Sequence, residues 1–337
     1  MLKSIRVATA GEALIDLVDR GDGLLEPCAG GAVYNFTRAL ALQGLGTAYL
    51  NPLSRDGFGR RLARGLADSG VLLARAEAIA EPTSLAVVGV DAEGQPAYTF
   101  YRQGVADRAI DASTLSAATQ SLAGLEVVCT GCLALASADE HRYLPWLKAC
   151  RARGLTVVVD ANLRPAAMPD AEAYRATVRA ALALADVIKV SDEDLLALAP
   201  GQPDLLLSAR ELFELGPAQY VALTQGSQGA MLLARDGRRW HALDHAALRI
   251  VDTVGAGDCF LAGLVAGLLD NGMRQAENAG LCGAAAQRAL VRAVASASYC
   301  VQRRGCVPPG RHELECQMQQ GTVRVVEQQP ALARINK

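Results

Sequence analysis

Apolar runs of strand length alternate with longer segments of helical spacing through most of the chain, and this limits most strongly what it can fold into. "IRVATAGEALIDLV", taken as a first strand, is followed by "AVYNFTRALALQGL". "TAYLNPLS" is followed by "GFGRRLARGLADSG", which Gly70 closes. "LEVVCTG", "DEHRYLPWLKACRARG" and "LTVVVDANLR" repeat the order, and "AEAYRATVRAALALA", "DVIKVS" and a helix from Asp192 continue it. "QYVALTQG" and "AMLLARDG" add two more strands. Such units predict an α/β fold with a mostly parallel central sheet covered by helices on both faces. With 51% apolar residues among 337, the chain can fill one large core of that kind.

Residues 84–102 break the rhythm. "SLAVVGVDAEGQPAYTFYR" is two β-rich segments joined by the hairpin signal "DAEGQP". The hairpin is either an extra sheet edge or a flap over the carboxyl ends of the strands, where α/β proteins bind ligands. The turn-rich stretch 16–31 can pair with it.

A net charge of −2 without a basic run argues against nucleic acid as a partner. The first residues carry no apolar segment followed by a cleavage signal, and no apolar stretch reaches the ~18 residues of a membrane span. The expectation is a soluble, cytoplasmic protein. Nine cysteines, at 28, 129, 132, 150, 259, 282, 300, 306 and 316, suit reduced, mostly buried thiols. Cys129 and Cys132 form a C-x-x-C, but at a strand end and without a second ligand pair for zinc. The four histidines lie in polar surroundings and are expected at the surface.

The stretch "DTVGAGDCF" (252–260) sets Gly255, Ala256 and Gly257 between two aspartates, just before the apolar helix "CFLAGLVAGLL". Glycine inside a helix costs roughly 1 kcal/mol against alanine, so a compensating gain is expected. Unobstructed N–H groups at a helix start make an anion site. Asp258 beside that site would repel an anion but would serve as a base for a nucleophile. A bare G-x-G-D is explained as well by a glycine-assisted helix start with an Asp cap.

"DTVGAGD" resembles the D-T-x-G-A-G-D signature of the ribokinase-like (PfkB) carbohydrate kinases, and "GGAVYN" (30–35) resembles that family's second signature. The resemblance extends over nearly the whole chain. It implies a three-layer fold in a single domain, 1–337, with a small β-sheet lid formed by segments about 12–34 and 84–105. Asp258 is implied as catalytic base and the amides of Gly255, Ala256 and Gly257 as the anion hole for the transferring phosphoryl group, in keeping with a reaction governed by positioning and charge. Asp16, Gly30, Gly31, Asn35, Asn162 and Asp258 are implied as sugar contacts. Arg164, Thr224, Gly226, Gly229, Thr253, Gly255, Gly257 and Cys306 are implied at the nucleotide. Cys306 stands where the family's R-x-G-A segment has alanine. ATP is the implied co-substrate, with Mg2+ and, in some relatives, K+. The family's N-x-x-E becomes "SDED" here, so Glu193 and Asp194 are both candidates to order magnesium through water. An acidic first helical turn explains the same charges.

"GEALIDLV", "FYRQGVAD" and "DANLRP" resemble the fructokinase branch and imply D-fructose as acceptor. Arg102 keeps a 2-keto-3-deoxygluconate kinase open, because such relatives bind a carboxylate nearby. A sugar- or nucleotide-binding protein without catalysis is the alternative of another class, disfavoured by the intact Asp258. A dehydrogenase is disfavoured because no G-x-G-x-x-G follows the first strand. Apolar faces on the hairpin (Leu85, Val87, Tyr98, Phe100) suggest a homodimer joined through the lid; a monomer is equally open.

Overall fold

The computed structural model of the protein describes residues 4–90, 96–272 and 282–328. The run expected as a first strand is broken at Gly11 into two. β1 (Val7–Thr9) enters a large sheet, and β2 (Leu14–Asp19) leaves it to begin a small one with β3 (Leu25–Gly30). After α1 (Ala32–Leu42) come β4 (Thr47–Tyr49), α2 (Gly57–Asp68) and β5 (Leu72–Leu73). The expected hairpin is present as β6 (Ser84–Val90) and β7 (Pro96–Tyr101), its turn residues 91–95 lying outside the described residues.

The chain then returns to the large sheet through α3 (Ala112–Ser121) and β8 (Val127–Gly131). It continues with α4 (Glu140–Ala152), β9 (Thr156–Asp160), α5 (Ala171–Leu182) and β10 (Val187–Ser191). α6 (Asp192–Leu198) and α7 (Leu205–Glu211) lead to β11 (Tyr220–Thr224) and the antiparallel strands β12 (Ala230–Ala234) and β13 (Arg239–Asp244). Last come α8 (Ala256–Asp270), α9 (Gly283–Cys300), α10 (Arg311–Gln319) and β14 (Val323–Gln328).

The large sheet has ten strands in the order β14-β13-β12-β11-β10-β9-β8-β1-β4-β5. It is parallel from β5 to β11 and antiparallel beyond. Central strands such as "VVVD" and "VIKV" are buried on both faces and therefore lack polar alternation. Trp146, Tyr174 and Leu195 from α4, α5 and α6 pack on one face, while Phe36 and Leu40 of α1 and the apolar residues of α8 and α9 pack on the other. α8 is buried from Asp258 to Leu269 and α9 lies close against it, because Gly263 and Gly267 leave no side chain between it and Ala293 and Ala289.

The small sheet has four strands, β3-β2-β6-β7. Its register sets Asp16, Ala86 and Phe100 side by side on one face, and Ile15, Leu85 and Tyr101 on the other. The hairpin's apolar residues divide between its two faces: Tyr98 and Phe100 share Asp16's face, and Leu85 and Val87 the opposite one. The C-x-x-C cysteines are buried free thiols, Cys129 ending against the core and Cys132 beginning a 3-10 turn.

Candidate active site

Every parallel strand delivers its carboxyl end to one edge, and two cavities open there, of about 280 Å³ and about 420 Å³. Thr253 and Gly257 line both, so the glycine turn is the wall between them.

The turn is built by Asp252. Its carboxylate accepts from Val254 N at 3.0 Å and Gly305 N at 2.7 Å, closing the loop on itself and on a segment beyond α9. Gly255 follows with φ +77°, a left-handed backbone that favours glycine, and α8 starts without a side-chain cap. Ala256 N turns back to Thr253 O at 3.2 Å, so one of the three expected amides is occupied. Among the described residues the N–H groups of Gly255, Gly257 and Asp258 have no partner and carry the helix's positive end.

Asp258 lies in the third position of α8, buried, and accepts from Asn35 Nδ2 at 2.9 Å. Burial pushes its carboxyl up to about 7, against the Asn35 hydrogen bond and helped by the charge of Asp160. Asn35 is positioned by α1, whose start has no cap of its own: Gly31 precedes it with φ +101°. Glu12 supplies the cap from 20 residues away, its Oε1 accepting from Ala32 N at 3.0 Å. Burial raises Glu12 to about 7 as well, opposed by the charge of Arg102. Glu12 Oε2 and Asn35 Oδ1 are buried without a hydrogen-bond partner, and both residues line the smaller cavity.

Asp16, raised by burial to about 6, completes this wall. Gly30 is the residue over which its carboxylate lies, and a Cβ there would collide with Asp16 Oδ2. Tyr98 and Phe100 of β7, stacked with ring centroids 5.9 Å apart, line the same cavity from the small sheet. Asn162, with φ +36°, and Arg164 enter it from the loop after β9.

Two partners were not foreseen from sequence. Lys189 is buried in β10, 3.0 Å from Asp160, and a Cβ on Gly257 would stand 3.3 Å from its Nζ. Burial opposes the Lys189 charge, but Asp160 and Asp194 hold its pKa above the ordinary value. Burial raises Asp160 to about 6 against the pull of Lys189. The only signals were a charge inside "DVIKVS" and another closing "TVVVD".

The larger cavity takes in Thr224, Gly226 and Gly229 as expected, with Leu248, Ile250, Phe260, Val294, Ala297 and Val301. Arg164 opens into the smaller cavity instead. Four expected residues stand elsewhere. Arg102 lines neither cavity: Asp107 holds it at 3.0 Å and the Leu133 carbonyl accepts from it at 3.1 Å. Asp194 is the third residue of a capping box, its two oxygens accepting from Leu163 N and Ser191 N, each at 2.7 Å. Glu193 is exposed, and neither acid lines a cavity. Cys306 packs under Gly255 rather than in the larger cavity.

A polar cavity with buried carboxylates, an open helix start and an apolar cavity behind it define an α/β enzyme built to bring two small molecules together. Residues 6–312 match the pfkB family of carbohydrate kinases, and the chain belongs to that family. It is 33% identical to a fructokinase of Klebsiella pneumoniae over 274 residues, 80% of this chain and 86% of that one. A fructokinase of Rhizobium leguminosarum bv. trifolii is 32% identical over 79% of this chain and 80% of its own. In fold the chain resembles the fructokinase of Xylella fastidiosa solved with bound ATP, with TM-score 0.81 and 24% identity over 95% of this chain and 99% of that one. A Vibrio cholerae fructokinase in a fructose, ADP and calcium ion bound form superposes with TM-score 0.75 and 23% identity, covering 93% and 98%. No helix among the described residues is long and apolar enough to cross a membrane.

Proposed function

We propose that the chain is an ATP-dependent fructokinase that forms fructose 6-phosphate. The carrying observation is the shared wall: a base and open N–H groups stand in the polar cavity, and the same turn borders the apolar one. The sugar occupies the smaller cavity, where Asp16, Glu12 and Asn35 offer oxygen acceptors and the Tyr98–Phe100 pair faces its C–H surface. ATP lays its adenine among Leu248, Ile250 and Ala297 and its phosphates along Thr253–Gly257.

Asp258 takes the proton of the sugar's 6-hydroxyl as that oxygen attacks the γ-phosphorus. The bond from phosphorus to the β-bridging oxygen breaks, ADP leaves with the electron pair, and the proton passes from Asp258 to solvent. Gly255, Gly257 and Asp258 N–H groups, with Lys189 and Arg164, balance the charge of the transferring group. Neither Glu193 nor Asp194 faces a cavity; a magnesium ion would be held by phosphate and water oxygens and would supply positive charge to the transferring group.

The small sheet is a lid over the sugar, a part of one kinase domain. The face away from the cavity packs Ile15, Leu17 and Leu85 on the chain's own core but leaves Leu25 and Tyr101 exposed at its margins, and pairing through these exposed residues gives the homodimer we favour. The reaction belongs in the cytoplasm, where ATP is supplied. The sugar-acid alternative loses its main support, because Arg102 is spent on Asp107 and Leu133.

A coupled ADP-release assay over D-fructose, ribose, glucose and 2-keto-3-deoxygluconate tests the reading. D-Fructose is expected to give the highest kcat/KM. A higher value with the sugar acid would reassign the substrate, and no ADP release with any sugar would favour a binding protein.

A further inference from the structure

Behind the glycine turn, three cysteines from separate parts of the chain converge. Cys259 and Cys300 are wholly buried, Cys306 is partly so, and their sulfurs all lie within 4.8 Å of one another. All three are free thiols. The Cys300 thiol stands 3.5 Å from the Val254 carbonyl, an oxygen at the rim of the same cluster. Three sulfurs each about 2.3 Å from a zinc ion stand about 3.8 Å apart, so closure needs a shift of roughly 1 Å at most.

We propose that Cys259, Cys300 and Cys306 form a site for one thiophilic metal ion of the zinc type, directly behind the anion-binding turn. The three thiols give their protons to solvent as the ion enters, and water or the Val254 carbonyl completes a fourth position. Mg2+ is excluded by its preference for oxygen ligands. The place of the site gives it a consequence. Cys259 follows Asp258 in sequence and Cys306 packs on Gly255, so a zinc ion with three thiolates sets one net negative charge behind the N–H groups that receive the phosphoryl. That consequence rests on the kinase reading; the metal site itself does not.

The test uses the full chain carrying Cys282→Ser and Cys316→Ser, because exposed Cys316 stands 3.7 Å from His312 and is a competing ligand. The protein is kept reduced with a phosphine, loaded with Zn2+ or Co2+ and passed through gel filtration. One equivalent of metal is expected to remain, the cobalt form showing thiolate-to-metal charge-transfer absorption. Adding Cys300→Ser, or separately Cys306→Ala, is expected to weaken binding by about tenfold or more while the thermal transition confirms a folded protein. Failure of the background protein to retain metal would overturn the site, as would unchanged stoichiometry and absorption in both added variants. Zinc-loaded protein should turn over several-fold more slowly and recover on chelation; unchanged turnover with metal bound would remove the consequence for transfer.

Discussion

The two cavities meet at one turn and are built on opposite principles. The smaller one buries Glu12, Asn35, Lys189 and Asp258 and half-buries Asp16, groups that are costly to take from water. The larger one is walled by apolar side chains, Phe260 and Val294 from the core, Leu248 and Val301 half-buried and Ile250 exposed, and an apolar ligand gains by covering them. A sugar offers hydroxyls that only directed polar atoms distinguish, whereas a flat aromatic base is held by apolar area. The chain thus concentrates its energetic liabilities where specificity and chemistry are needed, and lines the other cavity with apolar side chains.

Asp258→Asn tests this contrast with the largest expected effect. Turnover should fall by about 10²–10⁴-fold, the usual contribution of a general base, with both KM values little changed. Wild-type kcat/KM should rise with pH through about 7, because only the deprotonated carboxyl accepts the proton. Stability has the opposite sign. A carboxyl raised from 3.8 to about 7 by folding favours the native state fully below pH 4, and this is lost as the pH climbs to about 7. The Asn variant should therefore be the more stable protein above neutral pH, checked by denaturant unfolding at pH 5 and 8. Wild-type turnover in the variant would sink the base assignment.

Lys189→Met comes next. It strands Asp160 in the interior, and losing one partner of a buried pair costs about 3–5 kcal/mol, so the melting temperature and turnover should both drop. The double variant Lys189→Met, Asp160→Leu should regain most of the stability and none of the turnover. A double variant as fast as wild type would show that Lys189 acts only as a core ion pair.

Much of this was legible in the sequence, and what was not has a physical reason. Alternation with two-sided burial announced the parallel sheet, and the glycine-rich turn announced an anion site. Asp258 of "DTVGAGD" was readable as a base at the helix start, whereas the part of Asp252, which holds Gly305 across 53 residues, is encoded in no local pattern. Glu12 caps α1 from outside the helix, and Lys189 looks like any strand lysine until Asp160 is beside it. The break at Gly11 was hidden because both halves of the first apolar run are strands, one wholly and one partly buried, in different sheets. The Cys259–Cys300–Cys306 cluster depends on α8 and α9 lying side by side, which spacing alone does not reveal.

Gly30→Ala sharpens the comparison from the polar side. The new methyl must displace the Asp16 carboxylate, since the two would overlap. Overpacking of about 2 kcal/mol corresponds to roughly thirtyfold, expected on the KM for sugar alone. An equal rise in the KM for ATP would mean that Asp16 and Gly30 act through the whole edge rather than through the sugar.

Ala297→Leu probes the apolar side with the smallest effect. Ala297 lies on α9 facing the larger cavity, half-buried, so a leucine there extends into open space rather than into the packed α8–α9 contact. The cavity shrinks without gaining a charge or losing a hydrogen bond. A cost of about 1 kcal/mol gives roughly a fivefold rise in the KM for ATP, with the KM for sugar and the pH profile through about 7 unchanged. The two glycine-turn neighbours make this diagnostic: Thr253 and Gly257 touch both cavities, but Ala297 touches one. If the KM for sugar rose in step with that for ATP, the wall between the cavities would be yielding under pressure from α9, and the separation of a polar from an apolar half would fail.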